Sequence, residues 1–322
     1  MNKKNPGVAI TAFICLVLIA GVLWAYYSAV FGETKPEKKK EISVVLYYSG
    51  SNGWESLMEG LKQAEDDFSV TINYVVAKEG MIGEEQMELV QKEIEDGAQG
   101  ILLAATDSMT DYQSMRAEGF PVPIVTIESS LDSSSYTHIS ADNYEMGQTL
   151  GNALLEDFSH GEPPHVIVIE EYMERDSVNK RAQGLYDALG DTAKIEKIKC
   201  PNQSPDLLHF LETSIRNGGE GADVVVALSK ESLQILCGLD IMRGKKLYGI
   251  GNTASIVAAM DKGRVERLVF QNEFNIGYIG VKTLMAEIRG IYGTGSDIDF
   301  YCVEKKDIYE TQYERLLFPI VE

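Results

Sequence analysis

Histidine and cysteine are scarce in this chain, with four residues of each among 322. The histidines show no H-E-x-x-H or other metal-ligand spacing, and the cysteines form no C-x-x-C pair, so we expect no metal centre. The chain also lacks a G-x-S-x-G turn, a phosphate-binding P-loop and a G-x-G-x-x-G motif after a strand. We therefore expect no catalytic residues, no cofactor and no enzyme activity.

Basic residues are in the minority, with 29 lysines and arginines against 49 aspartates and glutamates. The formal net charge of −20 would repel the phosphates of a nucleic acid, which excludes that class of partner. Hydrophobic residues make up 44% of the chain and charged residues 24%, which is typical of globular proteins. The length allows two domains of ordinary size.

Charge is absent from Gly7–Phe31, an apolar run of about 25 residues that is long enough to span a bilayer as a helix. Trp24, Tyr26 and Tyr27 lie near its end, as in an interfacial aromatic belt. A cleaved signal peptide is the alternative, although no clear A-x-A cleavage site follows. We expect residues 1–41 to form a single-pass anchor and linker in the cell membrane. Lysines precede the run at Lys3 and Lys4 and follow it at Lys38 to Lys40, so they do not fix its orientation; we expect the C-terminal domain to be extracytoplasmic.

Two further groups of residues are interpreted structurally. Cys200, Cys237 and Cys302 are expected to be small apolar core residues, with a disulfide between two of them as the alternative. Glu170 and Glu171 are interpreted as solvated or capping carboxylates rather than an acid–base pair.

Two successive series of apolar strands follow the linker, with amphipathic helices between the strands. The predicted strands are Ile42–Tyr48, Thr71–Val76, Gly100–Ala104, Ile124–Ile127 and Tyr136–Ser140 in the first series, then Val166–Glu170, Lys194–Ile198, Val224–Ala227, Leu247–Ile250 and Arg267–Phe270 in the second. This alternation predicts an α/β fold with two doubly wound, Rossmann-like lobes, each built on a parallel sheet.

Polar residues follow the strands where helices begin. Asp142-Asn143 provides N-cap chemistry ahead of a helix with apolar residues at Met146, Leu150 and Leu154. Polar groups gathered at the ends of parallel strands predict a ligand crevice at that edge of the sheet.

Six segments in order carry a resemblance to a known family. They are Gly100-Ile-Leu-Leu-Ala-Ala-Thr-Asp-Ser, Pro123-Ile-Val-Thr-Ile-Glu, Ile139-Ser-Ala-Asp-Asn with Gly147, Lys180-Arg-Ala-Gln-Gly-Leu, Tyr248-Gly-Ile-Gly, and Val269-Phe-Gln-Asn with Gly277-Tyr. The region from Ile42 to about Glu322 resembles the periplasmic sugar-binding proteins of the ribose/galactose type, which share the type I periplasmic binding protein fold with the effector-binding core of LacI-type repressors. A repressor role is not expected, because an apolar span stands where a DNA-binding headpiece would be.

The resemblance implies two lobes joined by a three-crossing hinge. One lobe would contain residues 42–143 and about 272–298, and the other residues 144–271 and about 299–322. The crossings are expected near 129–143, 271–275 and 296–302.

The resemblance also implies ligand-binding positions between the lobes. They are Ser51, Trp54, Glu128, Asn143, Asn179, Ser229, Asn252 and Gln271. Trp54 could stack on a sugar or belong to the core, and Arg181 is interpreted as structural. Where the family commonly has Asp-Arg the chain has Glu128-Ser129, and Gly251 takes the place of an aspartate. The ligand is therefore expected to be a small polar molecule. A sugar or sugar derivative is the first interpretation, and a different small polar molecule is the alternative.

Two functions remain open. The chain could be a membrane-anchored solute-binding protein that delivers its ligand to an ABC permease. Alternatively, it could be a sensor that signals ligand occupancy to a membrane histidine kinase.

Overall fold

The computed structural model describes residues 16–27, 39–50, 53–113, 122–132, 135–159, 161–201, 206–218, 221–293 and 295–318. The chain divides into two compact units, Met1–Lys39 and Lys40–Glu322. In the first unit, residues 16–27 form a helix with exposed apolar side chains, including Leu16 and Val22. Nowhere in these ranges is a helix both long and apolar enough to cross a membrane. The predicted span Gly7–Phe31 extends beyond the described helix on both sides.

The second unit contains two α/β sheets, which confirms the prediction of two lobes. The first lobe is built on β1 (Lys40–Leu46), β2 (Val70–Val76), β3 (Ile101–Leu103), β4 (Ile124–Ile127), β5 (Thr137–Ser140) and β11 (Ser296–Asp297). These strands are parallel and lie in the order β11-β5-β4-β3-β1-β2. Strands β3 and β4 are buried throughout, as expected for short β-branched and leucine-rich strands covered on both faces.

The second lobe is built on β6 (His165–Glu170), β7 (Lys194–Lys199), β8 (Val224–Ala227), β9 (Lys246–Ile250), β10 (Arg267–Gln271) and β12 (Phe300–Val303). Its strand order is β12-β10-β9-β8-β6-β7. The edge strand β12 pairs antiparallel with β10, where the sequence pattern predicted only parallel pairing. The chain enters β12 directly from the other lobe rather than through a crossover helix, so the parallel direction is not imposed.

Helices cover the sheets of both lobes. They are α1 (Glu55–Phe68), α2 (Gly83–Glu95), α3 (Asn143–Asp157), α4 (Asp176–Leu189), α5 (Leu207–Gly218), α6 (Lys230–Gly238), α7 (Ala254–Asp261), α8 (Glu273–Ile288) and α9 (Thr311–Leu317). The predicted N-cap of α3 is confirmed, because the Asp142 side chain accepts a hydrogen bond from the Glu145 amide at 3.0 Å.

Within the described residues, the chain passes from one sheet to the other three times. Helix α3 follows β5 of the first lobe but packs on α4 and β10 of the second. Helix α8 follows β10 of the second lobe but packs on α1 and β4 of the first. The third passage, at residues 298–299, connects β11 to β12. Helix α3 therefore begins the second lobe after the first crossing, and α8 returns the chain to the first lobe after the second crossing.

Glycines allow α3 and α8 to lie close to the helices on which they pack. A Cβ on Gly147 of α3 would overlap the carbonyl oxygen of Arg181 in α4, and a Cβ on Gly184 would overlap that of Tyr144. In the first lobe, a Cβ on Gly60 of α1 or on Gly277 of α8 would likewise overlap the backbone of the facing helix. Backbone-to-backbone contact at these positions leaves no room for a side chain.

Candidate functional site: the cleft between the lobes

The cleft lies where the strands of both sheets end, as expected for ligand sites in open α/β sheets. Tyr47 follows β1 and Glu128 follows β4 in the first lobe, while Glu171 follows β6 and Ser229 lies just beyond β8 in the second. Gln271 ends β10 next to the second crossing. All five side chains are buried.

Glu128 is the central acceptor of the cleft. Its carboxylate accepts hydrogen bonds from the Tyr47 hydroxyl at 2.5 Å, from Nη2 of Arg181 at 2.7 Å and from the Ser177 hydroxyl at 3.1 Å. Its backbone lies in the left-handed region, with φ of 60°. Burial alone would raise the pKa of Glu128, but Arg181 and the Tyr47 hydroxyl hold it below its usual range. Glu128 is therefore an ionised carboxylate satisfied by its own protein.

Arg181 connects Glu128 to the first crossing. Its Nε donates to Oδ1 of Asn143 at 2.7 Å, and Nη1 donates to the carbonyl of Leu228 at 3.3 Å. Because Arg181 lies on α4 and Glu128 follows β4, this buried ion pair joins the two lobes. Arg181, which was interpreted as structural from the sequence, therefore connects the two lobes.

Arg175, which sequence reasoning missed, lies between two aromatic rings. Its guanidinium carbon is 3.6 Å from the ring centre of Tyr47 in the first lobe and 3.8 Å from that of Tyr172 in the second. Nη1 donates to Glu231 at 3.0 Å and Nη2 to the carbonyl of Tyr48 at 3.4 Å. Such stacking is favourable when the cation is desolvated, so Arg175 is a second attachment between the lobes.

Lys230 is the third cation in the cleft, and sequence reasoning missed it as well. Its Nζ contacts Glu273 of α8 at 2.7 Å, donates to the carbonyl of Gly53, and lies 4.4 Å from the Trp54 ring centre. A Cβ at Gly251 would lie 2.6 Å from the Lys230 Cβ. Lys230 therefore leaves no room for a side chain at Gly251, where the resemblance implies an aspartate in the family.

These contacts leave little space at the centre of the cleft. The inner cavity between Glu128, Arg181, Ser229 and Gln271 has a volume of about 20 Å³. A single water needs at least about 10–15 Å³, so the cavity accommodates about one water and no sugar ring. In this conformation the lobes are held together by their own charged side chains.

The structure brings some of the predicted ligand positions together at this cavity. Glu128, Ser229, Asn252 and Gln271 line it. Asn143 contacts Arg181 beside the first crossing, and the Asn179 amide donates to the carbonyl of Met173 at 3.4 Å.

Trp54 is not among the residues that line this cavity. Trp54 belongs to the buried core and its indole N–H donates to the Tyr47 carbonyl at 2.9 Å. Ser51 lies outside the described residues. Ligand contact by the eight predicted positions stays a prediction.

The interpretation of Glu170 and Glu171 as solvated carboxylates was wrong, because both side chains are buried. Glu170 accepts from the Tyr186 hydroxyl at 2.6 Å, and Glu171 accepts from the Ser229 hydroxyl at 2.7 Å. Burial, together with the nearby Glu231 carboxylate, raises the pKa of Glu171 to about 7. Strand β6 is covered on both faces, so residues at its end are carried into the protein rather than to its surface.

The raised pKa of Glu171 predicts a loss of stability as pH rises. The folded chain binds more protons than the unfolded chain between the ordinary pKa of 4.5 and about 7. The stabilisation is therefore complete below about pH 4.5 and is lost by about pH 7. In urea unfolding, the difference in free energy of unfolding between Glu171→Gln and the wild type should shift in favour of the variant by about 1–3 kcal/mol from pH 5 to pH 8. The exposed Glu162→Gln variant should follow the wild type, and parallel pH profiles for wild type and Glu171→Gln would contradict the assignment.

Across the described ranges, no group of three or more His, Cys, Asp or Glu residues could hold a metal ion. Cys200 and Cys237 are buried free thiols and Cys302 is a half-buried one. Burial raises the pKa of each thiol, to about 12 for Cys200 and about 11 for the other two.

A family profile described as a periplasmic binding protein domain matches residues 42–291. The chain belongs to this family. A search of curated protein sequences finds no significant match. Many solved structures share the fold of this periplasmic binding protein domain.

Three of these structures illustrate the similarity. A carbohydrate transporter solute-binding protein from Agrobacterium radiobacter in complex with D-arabinose is 18% identical, with a TM-score of 0.78, covering 87% of this chain and 99% of its own. An ABC transporter solute-binding protein from Agrobacterium vitis with bound D-fucose is 18% identical, with a TM-score of 0.78, covering 86% and 100%. A XylFII–LytSN complex contains a chain that is 16% identical, with a TM-score of 0.71, covering 84% and 100%. At these identities the comparison shows the type I periplasmic binding protein fold.

Proposed function

We propose that this chain is an extracytoplasmic solute receptor that binds a sugar or sugar derivative between its lobes. The observation that carries the proposal is the arrangement of the cleft, where buried polar side chains from the strand ends of both sheets face one another beside three chain crossings. Two lobes joined in this way can separate to admit a ligand and close to surround it. The sugars bound by similarly folded proteins, D-arabinose and D-fucose, support a carbohydrate-like ligand.

The test is a thermal-shift titration of the full-length chain with D-arabinose, D-fucose, D-allose, D-tagatose, D-glucose and D-galactose. A sugar present at 100 times its dissociation constant should stabilise the folded chain by about 2.7 kcal/mol. Amino acids and nucleosides are the controls and should leave the melting temperature unchanged. Stabilisation by a control class, with none by any sugar, would contradict the carbohydrate assignment.

For the partner, we propose an ABC permease to which the receptor delivers its ligand. The description of the Agrobacterium vitis protein as an ABC transporter solute-binding protein supports this choice. A growth assay on the bound sugar tests it, because loss of the receptor should abolish uptake.

The second candidate is a ligand sensor that signals to a membrane histidine kinase. The XylFII–LytSN complex supports it, because there a protein of this fold is found in complex with another protein. Unchanged uptake, together with loss of sugar-dependent transcription in a strain without the receptor, would select the sensor.

We also propose that residues 1–41 anchor the receptor in the cell membrane with its lobes outside. The uncharged run Gly7–Phe31 and the exposed apolar side chains of helix 16–27 support this. N-terminal sequencing of the membrane fraction should find an intact start, whereas a start near Glu33 would contradict the anchor.

A further inference from the structure

A second cavity lies in the same cleft, on the other side of Tyr47 and Arg175 from the inner cavity. We call it the outer chamber; its lining includes Tyr48, Lys78, Met81, Asp107, Tyr172 and Arg175. The first lobe contributes the loops that follow β1, β2 and β3, and the second lobe contributes the loop between β6 and α4. Tyr47 and Arg175 line both cavities and separate them.

The two cavities differ in what they can hold. The outer chamber has a volume of about 130 Å³, against about 20 Å³ for the inner cavity. An apolar cavity of about 150 Å³ accepts a benzene ring, so the outer chamber approaches the space that one small ring fills, whereas the inner cavity does not.

A ligand in the inner cavity would have to replace hydrogen bonds that the protein forms between its own side chains. Glu128 has three side-chain donors there, Tyr47, Ser177 and Arg181, and a ligand would have to replace them. A buried charge that loses its partner is costly, whereas entry into the outer chamber breaks none of these bonds.

The lining of the outer chamber suits an uncharged polar ring. Two tyrosines, Tyr48 and Tyr172, provide aromatic surface on which a sugar ring can pack. Lys78 and Arg175 offer donors and Asp107 and Glu174 offer acceptors, so hydroxyl groups find partners of both kinds in the lining.

Parts of this lining are held in place by the protein. The Asp107 carboxylate accepts from the Met109 amide at 2.8 Å, and Arg175 is fixed by its bond to Glu231. The Ser108 amide of the first lobe donates to the Glu174 carbonyl of the second at 3.0 Å, which joins the lobes at this chamber. The chamber is therefore formed by the closed arrangement of the lobes.

We propose that the ligand, an uncharged polyhydroxylated ring of monosaccharide size, binds in the outer chamber against Tyr48 and Tyr172 while the inner ion pairs stay intact. This inference rests on the proposed function as a sugar receptor. It places the specificity-determining contacts on Tyr48, Lys78 and Tyr172, outside the set predicted from the sequence.

Isothermal titration calorimetry of the full-length chain with the six sugars tests the inference. For a sugar that binds the wild type, Tyr172→Ala, Tyr48→Ala and Lys78→Met should each weaken binding at least tenfold. The controls Tyr292→Ala and Lys62→Met remove the same side-chain types from exposed positions and should bind as the wild type does. Thermal unfolding of each variant without sugar establishes that it is folded.

The outcomes separate this inference from the proposed function. If none of the six sugars binds the wild type, the sugar-receptor function fails and the outer-chamber site fails with it. If a sugar binds and the three outer-chamber variants stay within threefold of the wild type, the function stands and the outer chamber is overturned. Crystals of the sugar complex give a second measurement: a ring beside Tyr48 and Tyr172 supports the inference, and a ring in place of the Arg181–Glu128 pair overturns it.

Discussion

Gly147→Val is expected to prevent stable folding of the second lobe. The added Cβ would overlap the Arg181 carbonyl oxygen, which belongs to the backbone of α4 and cannot rotate away. Helices α3 and α4 would have to separate along their whole contact, so the cost should exceed the 1–3 kcal/mol typical of an overpacked core and reach about 4 kcal/mol or more. Circular dichroism and urea unfolding of the full-length chain measure the effect.

Gly238→Ala is the matched control for this prediction. Gly238 is the last residue of α6 and has no atom within 4 Å of an added Cβ. This variant should be neutral or slightly more stable, because alanine reduces the entropy of the unfolded chain. If Gly147→Val loses less than about 1 kcal/mol, the helices are not in the close contact described.

Arg181→Met is expected to shift the lobes toward an open arrangement. It leaves the Glu128 carboxylate without its cation, and a buried charge that loses its partner costs about 3–5 kcal/mol. Separation of the lobes would hydrate the carboxylate and avoid part of this cost. The ratio of closed to open molecules should therefore fall by a factor of about 100 or more for each 3 kcal/mol, and the radius of gyration from small-angle scattering should rise.

Two variants control for general destabilisation. In the double variant Arg181→Met with Glu128→Gln, the charge is removed along with its partner, so most of the closure should return. Arg267→Met breaks the ion pair with Asp157 inside the second lobe, at 2.7 Å, and should lower stability without opening the cleft. A radius of gyration unchanged by Arg181→Met would show that this pair does not hold the lobes together.

Much of the fold could be predicted from local pattern. Short β-branched runs such as Ile124–Ile127 and Val224–Ala227 are buried strands with the predicted bounds, because a fully covered strand needs apolar residues at every position. Gly147, Gly184 and Gly277 entered through the family resemblance alone. The structure supplies their physical reason, since each lies where two helix backbones touch.

The chemistry of the cleft could not be predicted in the same way. Arg175 and Lys230 lie in the sequence far from Tyr47 and Glu273, and only the approach of the two lobes brings them together. In isolation, each would be taken for a solvated surface charge, as Glu171 was. One signal was present, because Glu171, Lys230 and Glu273 each follow within three residues of a strand end, where side chains face the crevice.

The late position of α8 in the chain affects the order in which the two lobes can fold during synthesis. The apolar face of α1, with Leu57 and Leu61, is completed by α8, yet about 200 residues, which include the other strands of the first lobe up to β5 and most of the second lobe, are synthesised between them. At roughly 5–20 residues per second, the ribosome needs about 10–40 seconds to deliver the missing helix. During that interval the first lobe is an unfinished sheet with an uncovered apolar surface, to which chaperones can bind. When α8 emerges, the second lobe lacks only the short segment after the third crossing. We therefore expect the second lobe to form a near-native core before the first lobe does, although the first lobe begins earlier in the chain.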